Sequence, residues 1–241
     1  FASPFDSSAV NFLETLNCPI YKIASPEIND LNLIRACAKT GKPVIISTGL
    51  ASMEDLNEAV NVLRQEKAPF IILKCVSAYP TKLEEINIST MKILKQKFNC
   101  NVGLSDHTLG PHAAYAACAL GASLIEKHFK MPGDISSVDA CFSTELNKLP
   151  EFKASLESIY LAIGSPTLEL SESAKESFFA RRSLYVVKSI AKGEEFSEDN
   201  LKSIRPHYGL DPKYLNSIIG KKASKDIKPG SKLEWSLIEK Y

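Results

Sequence analysis

Two histidines, His107 and His128, carry the most chemistry in this sequence. They lie in VGLSDHTLG and EKHF, just past two short apolar runs at residues 102–104 and 123–126, with a Gly-Pro turn and an alanine-rich helical stretch between them. That interval is one strand–helix–strand repeat. In a parallel barrel such a repeat sets both residues at the same end of neighbouring strands, where two imidazoles can share a divalent metal. Asp106 and Glu126 stand beside them as carboxylates of the kind that orient a ligating imidazole. The alternative is a pair of buried, hydrogen-bonded histidines with no ligand. Two imidazoles with open positions suit a Lewis acid, and Mn, Mg, Zn and Co all accept such donors. His112 and His207 lack this setting.

The other strand ends are also polar. Reading past each apolar run gives Ser3; Lys22, Ser25 and Glu27; Ser47, Thr48 and Gly49; Lys74, Ser77 and Tyr79; and Ser105. Hydroxyls and lysines in one layer suit an anionic ligand carrying phosphate or carboxylate. The competing reading is that serines after strands simply cap the next helix.

These residues need a scaffold that repeats. Through residue 163 the sequence alternates short apolar runs with segments of helical period. The pattern predicts strands at 21–24, 43–47 and 70–76, besides the two histidine strands and a stub at 1–2. Helices are predicted at 7–16, 30–39, 53–65, 89–98, 111–120 and 149–163, with Ser52 as the cap of the third. The runs are continuously hydrophobic, as strands covered on both faces are. The fold class is α/β, a (β/α)8 TIM barrel. Six strands are visible, so two strand–helix units are expected upstream of Phe1. The rival, an open doubly wound sheet, lacks a glycine-rich dinucleotide fingerprint.

Residues 165–181 read as a polar linker. From 182 to 241 short β-type runs take over, and one motif occurs twice: SIAKG at 189–193 returns as DIKPG at 226–230. Phe196 then matches Leu233, and Leu201 matches Ile238. This predicts a small pseudo-symmetric β domain beside the barrel domain of 1–164.

With 29 Lys and Arg against 28 Asp and Glu, the chain has no overall field to attract nucleic acid or an acidic membrane. No apolar run is long enough to span a bilayer. The six scattered cysteines include no CxxC pair and read as reduced thiols of a cytoplasmic protein.

Taken together, SPFD, YKIASPE, ISTGLAS, LKCVSAYPT, VGLSDHTLG, EKHF and SVDACFS, then RSLYVVKSIAKGEEFSEDNL, IRPHYGL and IIGKKASKDIKPGSKL, resemble the sialic acid synthases. LKC-x-SAYPT with RPHYGL most resembles the pseudaminic acid branch. The resemblance implies condensation of phosphoenolpyruvate with a 2,4-diacetamido-2,4,6-trideoxyhexose, giving a nine-carbon sugar acid and phosphate. N-acetylneuraminate or legionaminate synthesis is the enzymatic alternative, and a non-catalytic sugar-phosphate-binding barrel the remote one. It further implies a β-clip antifreeze-like (SAF) domain and a domain-swapped homodimer. By motif, His107 and His128 would bind the metal, Mn2+ before Mg2+ or Co2+. Lys22, Ser25, Ser47, Ser77 and Ser105 would hold phosphoenolpyruvate, with Ser3 at the rim. Glu27, Tyr79 and Asp139 would meet the acetamido sugar, Glu27 also moving a proton, and Arg205 would reach it from the neighbouring subunit.

Overall fold

The computed structural model describes residues 1–239. The chain divides into two compact units, Phe1–Ser165 and a second beginning at Pro166.

In the first unit, strands and helices alternate as α1 (Ser7–Thr15), β1 (Tyr21–Ile23), α2 (Leu31–Lys39), β2 (Val44–Ser47), α3 (Met53–Gln65), β3 (Phe70–Lys74), α4 (Thr90–Phe98), β4 (Asn101–Asp106), α5 (His112–Ala119) and β5 (Ile125–Lys127). A short pair, β6 (Phe129–Lys130) and β7 (Thr144–Glu145), precedes α6 (Leu149–Ile163). The ends of every expected element fall within two residues of these bounds. Local chemistry explains the precision. Asp6 and Asp30 cap α1 and α2, and Ser52 with Asp55 forms a reciprocal capping box on α3. Asn99 ends α4 in the left-handed conformation.

The five main strands are all parallel and lie in sequence order, β1 to β5, and Ala2 adds a parallel bridge to Tyr21. A doubly wound sheet reverses strand order at a switch point. This one does not, and it is the consecutive strand run of a (β/α)8 barrel. Alternation along the strands separates two faces. Tyr21, Ile23, Val44, Ile46, Ile72, Val102 and Leu104 pack with the helices in one core. Lys22, Ser47 and Ser105 fall on the opposite, inner face. The pairing of β6 with β7 has no counterpart in the sequence expectations, because two residues per strand leave no periodicity to read.

The second unit contains α7 (Glu172–Glu176), within the stretch read as a linker, then β8 (Ser183–Val186), β9 (Leu201–Ile204) and α8 (Leu215–Ile218). Its backbone repeats at an interval of 37 residues, as in the motif pair Gly193 and Gly230. Gly193 N donates to Ala223 O at 2.8 Å and Gly230 N to Val186 O at 2.8 Å. Ala223 N donates to Glu194 O, and Val186 N to Ser231 O, both at 2.9 Å. Both glycines turn at positive φ, 82° and 83°, which only glycine adopts freely. Phe196, Leu201, Leu233 and Ile238 are buried in a single core. No helix among the described residues is long and apolar enough to cross a membrane.

Candidate functional site at the carboxyl ends of the barrel strands

His107 follows β4 and is buried, 6% exposed. Its Nδ1 lies 2.9 Å from Val76 O. A carbonyl only accepts, so Nδ1 carries the proton and Nε2 keeps a free lone pair. His128 follows β5, half-buried, with Nδ1 3.3 Å from Asp139 Oδ2. The two ring centroids are 5.3 Å apart. Tyr79 packs on His107 at 4.3 Å between centroids. Buried Phe142 lies 5.0 Å from His128 and 6.2 Å from His107.

The two imidazoles are pushed in opposite directions. Burial disfavours charge on His107, but the Cys75 thiol, the Val76 carbonyl and Asp106 outweigh it and hold its pKa above the ordinary value. Burial and then the neighbouring His107 hold His128 below the ordinary value, against Asp139 and Glu126. Charge on one ring opposes charge on the other.

The carboxylates expected to orient the imidazoles do not touch them. Asp106 Oδ2 pairs with Lys127 Nζ at 2.9 Å, and Glu126 Oε1 accepts from Ser105 Oγ at 2.6 Å. The reason is strand geometry. Asp106 adjoins His107 and so points to the opposite face. Glu126 shares a face with His128 but sits one pleat lower, within reach of Ser105 and of Lys22 Nζ at 3.6 Å.

That lower layer gathers the other inner-face residues. Lys22, Ser25, Ser47 and Ser105 are all buried. Ser25 begins a 3-10 turn, Ser25–Glu27, and its Oγ accepts from Gly49 N at 2.9 Å. Ser47 Oγ, Ser77 Oγ and Glu27 Oε2 are buried without a hydrogen-bond partner among the described residues. Ser3 follows the Ala2 bridge and is half-buried. Asp139 lies in the loop before β7 and faces His128. Arg205 belongs to the second unit, where it follows β9. There it lines a pocket of about 360 Å³ with Arg181, Arg182 and Asp211.

Two residues of the layer do more than was expected of them, Gly49 having been read only as a strand-end position and Cys75 only as one of six reduced thiols. Gly49 lies so close to Ser77 and Ser25 that a Cβ would overlap both hydroxyls. Cys75 Sγ stands 3.9 Å from His107 Nδ1. Burial raises its pKa, but His107, Ser25 and Ser105 outweigh burial and bring it below the ordinary thiol value. Neither residue type signals such a contact.

The fold and this layer define a (β/α)8-barrel protein with a layer of buried polar groups at the carboxyl ends of the strands, joined in one chain to a small two-fold β unit. Residues 1–167 match the model of the NeuB family, and residues 181–239 that of the SAF domain. The chain belongs to the NeuB family. It is 46% identical over 240 residues to the pseudaminic acid synthase of Campylobacter jejuni (strain 81-176), covering 98% of this chain and 69% of that protein. It is 43% identical over 243 residues to the pseudaminic acid synthase of Helicobacter pylori, covering 100% of this chain and 71% of that one. Among solved structures it is similar to the spore coat polysaccharide biosynthesis protein spsE of Bacillus subtilis, with a TM-score of 0.64 and 30% identity over 99% of this chain and 73% of that chain.

Proposed function

We propose that this chain condenses phosphoenolpyruvate with a 2,4-diacetamido-2,4,6-trideoxyhexose, a water adding at C2 of phosphoenolpyruvate before its C–O bond to phosphate breaks, yielding pseudaminic acid and phosphate. The observation that carries the reading is its 46% and 43% identity to pseudaminic acid synthases across nearly its whole length. The layer of buried groups supports it. Lys22 supplies a cation, and Ser25, Ser47, Ser77 and Ser105 supply hydroxyls; two of these, Ser47 and Ser77, have no hydrogen-bond partner among the described residues. Such hydroxyls suit phosphate and carboxylate oxygens.

His107 and His128 fit a divalent cation, Mn2+ before Mg2+ or Co2+. Both Nδ1 atoms face acceptors, which leaves both Nε2 atoms as donors. Among the described residues no group of three or more His, Cys, Asp or Glu side chains is placed to hold a metal; a cation held by the two imidazoles would keep positions open to other ligands, as a catalytic site requires. A cation there would polarise the sugar aldehyde and stabilise charge developing on its oxygen.

The chain's own groups do the rest. Lys22 and the serines hold phosphoenolpyruvate with C3 toward the aldehyde. Tyr79 and Asp139 line the sugar side. Glu27, with one buried carboxylate oxygen that has no hydrogen-bond partner among the described residues, moves the proton at the sugar. Arg205 reaches the sugar from the neighbouring subunit of a domain-swapped dimer.

Phosphate release with each candidate sugar tests the reading. Turnover is expected with the trideoxyhexose, lost on chelation and restored by Mn2+, and absent from His107→Ala and His128→Ala. Equal or better turnover of N-acetylmannosamine would overturn the substrate assignment. For the swap, inactive Arg205→Ala mixed with an inactive barrel variant should regain activity. Failure to regain any counts against the shared site.

A further inference from the structure

The proposed chemistry makes no use of the ion pair between Asp106 and Lys127. Lys127 Nζ is 2.9 Å from Asp106 Oδ2, with side chains 4% and 0% exposed. No other ion pair among the described residues has both partners so fully removed from solvent. The two residues are register partners across β4 and β5. Each immediately precedes one of the two histidines, so each projects from the opposite face of the same strand end.

The pair continues into a hydrogen-bonded run. Asp106 Oδ1 accepts from Thr108 N at 2.8 Å and from Thr108 Oγ1 at 2.7 Å. Lys127 Nζ also donates to Thr108 O at 2.8 Å. Thr108 bridges to Thr81, and Thr81 N donates to His107 O at 3.0 Å. Thr81 Oγ1 donates to Val76 O at 3.1 Å and to Ala78 O at 2.9 Å. Val76 O is the acceptor that fixes the Nδ1 proton of His107. The run therefore begins beside His128 and ends at the carbonyl that orients His107.

Energetics separates this role from mere stability. A buried ion pair returns little net stability, and apolar residues of the same volume commonly do as well or better. What apolar residues do not supply is a directional, charge-assisted tie between two strand ends. We infer that Asp106 and Lys127 are positioning residues: through Thr108 and Thr81 they fix the spacing and ring orientation of His107 and His128, so that both Nε2 atoms face one cation.

The inference rests on the metal reading given above. Its test is titration of the full chain with Co2+ alone, followed by visible absorption, together with the imidazole NMR signals of the metal-free protein. The double variant Asp106→Asn/Lys127→Met removes both charges at nearly constant volume. It is expected to unfold cooperatively like the parent, while its Co2+ dissociation constant rises about 10–100-fold and its His107 Nδ1 proton loses protection from exchange. Lys127→Arg, which keeps the charge, should retain most of the parent affinity. Thr108→Val leaves the ion pair and should weaken Co2+ binding in the same direction by a smaller factor, which serves if the double variant does not fold. Parent-like Co2+ affinity in the double variant, or in Thr108→Val where only that folds, overturns the inference. A parent chain that takes up no Co2+ overturns the metal reading and this inference with it.

Discussion

A Cβ on Gly49 would lie 2.3 Å from Ser77 Oγ, and 2.7 Å from Ser25 Oγ. The glycine thus leaves room for two serine hydroxyls from different strand ends, one of which, Ser25 Oγ, accepts from its backbone N–H. Gly49→Ala would force both hydroxyls aside. The crowded atoms are tips of small side chains, so the fold should absorb the change at about 1–3 kcal/mol. Displaced hydroxyls should cost more in binding. Losing a hydrogen bond to a charged oxygen is worth about 1.5–3 kcal/mol, so the KM for phosphoenolpyruvate is expected to rise about tenfold or more. Steady-state kinetics with urea denaturation checks both numbers. An unchanged KM would remove these serines from the phosphoenolpyruvate contact.

Asp139 was expected to meet the sugar, and its carboxylate stands 3.3 Å from His128 Nδ1. Asp139→Asn separates the two roles. Asp139 raises the His128 pKa against burial and the neighbouring His107, so its loss should move the His128 titration further down. An oriented imidazole that loses its carboxylate commonly costs about 10–100-fold in metal affinity. A variant that loses sugar affinity while binding Co2+ like the parent would assign Asp139 to the sugar alone.

The histidine pair gives a pH dependence of two signs. His107 has its folded pKa raised. Its protonation favours the folded state, a contribution fully present below the ordinary imidazole pKa of about 6.5 and lost as pH rises through the folded value. His128 has its folded pKa lowered. Its contribution is present above about 6.5 and is lost as pH falls through the folded value. In the metal-free chain, NMR should therefore show His107 titrating at higher pH than His128. In His107→Gln the His128 midpoint should rise, because a neighbouring positive charge is gone. An unchanged His128 midpoint in His107→Gln would mean that the rings do not interact.

The barrel was legible because its signals are local: continuous apolar strands, capping residues such as Ser52 and Asp30, and polar residues at every strand end. The histidine pair was legible for the same reason, since spacing in a repeat fixes relative position. What depended on facing was not. Asp106 and Glu126 were read as partners of the imidazoles from adjacency in sequence, whereas the pleat turns Asp106 to the opposite face and leaves Glu126 to Ser105 and Lys22. Val76 O holds His107 through a backbone carbonyl, which no side-chain pattern encodes. Gly49 was visible as a residue but not as a close approach, because its contacts come from other strands.

In the second unit the sequence repeat carries a sharper expectation. Ile190 N donates to Ile227 O at 3.0 Å and Ile227 N to Ile190 O at 2.8 Å. Residues 37 positions apart thus pair with each other, as residues astride a local two-fold axis must. They are 2% and 5% exposed and pack in the same core. Truncating either removes the same methylenes from the same neighbourhood. Ile190→Ala and Ile227→Ala should therefore each destabilise the unit by about 2–5 kcal/mol and by nearly equal amounts. Because the two side chains share neighbours, the double variant should depart from additivity by more than about 0.5 kcal/mol. Chemical denaturation of the four proteins measures this, and strongly unequal single effects would show that the backbone symmetry does not extend to the packing.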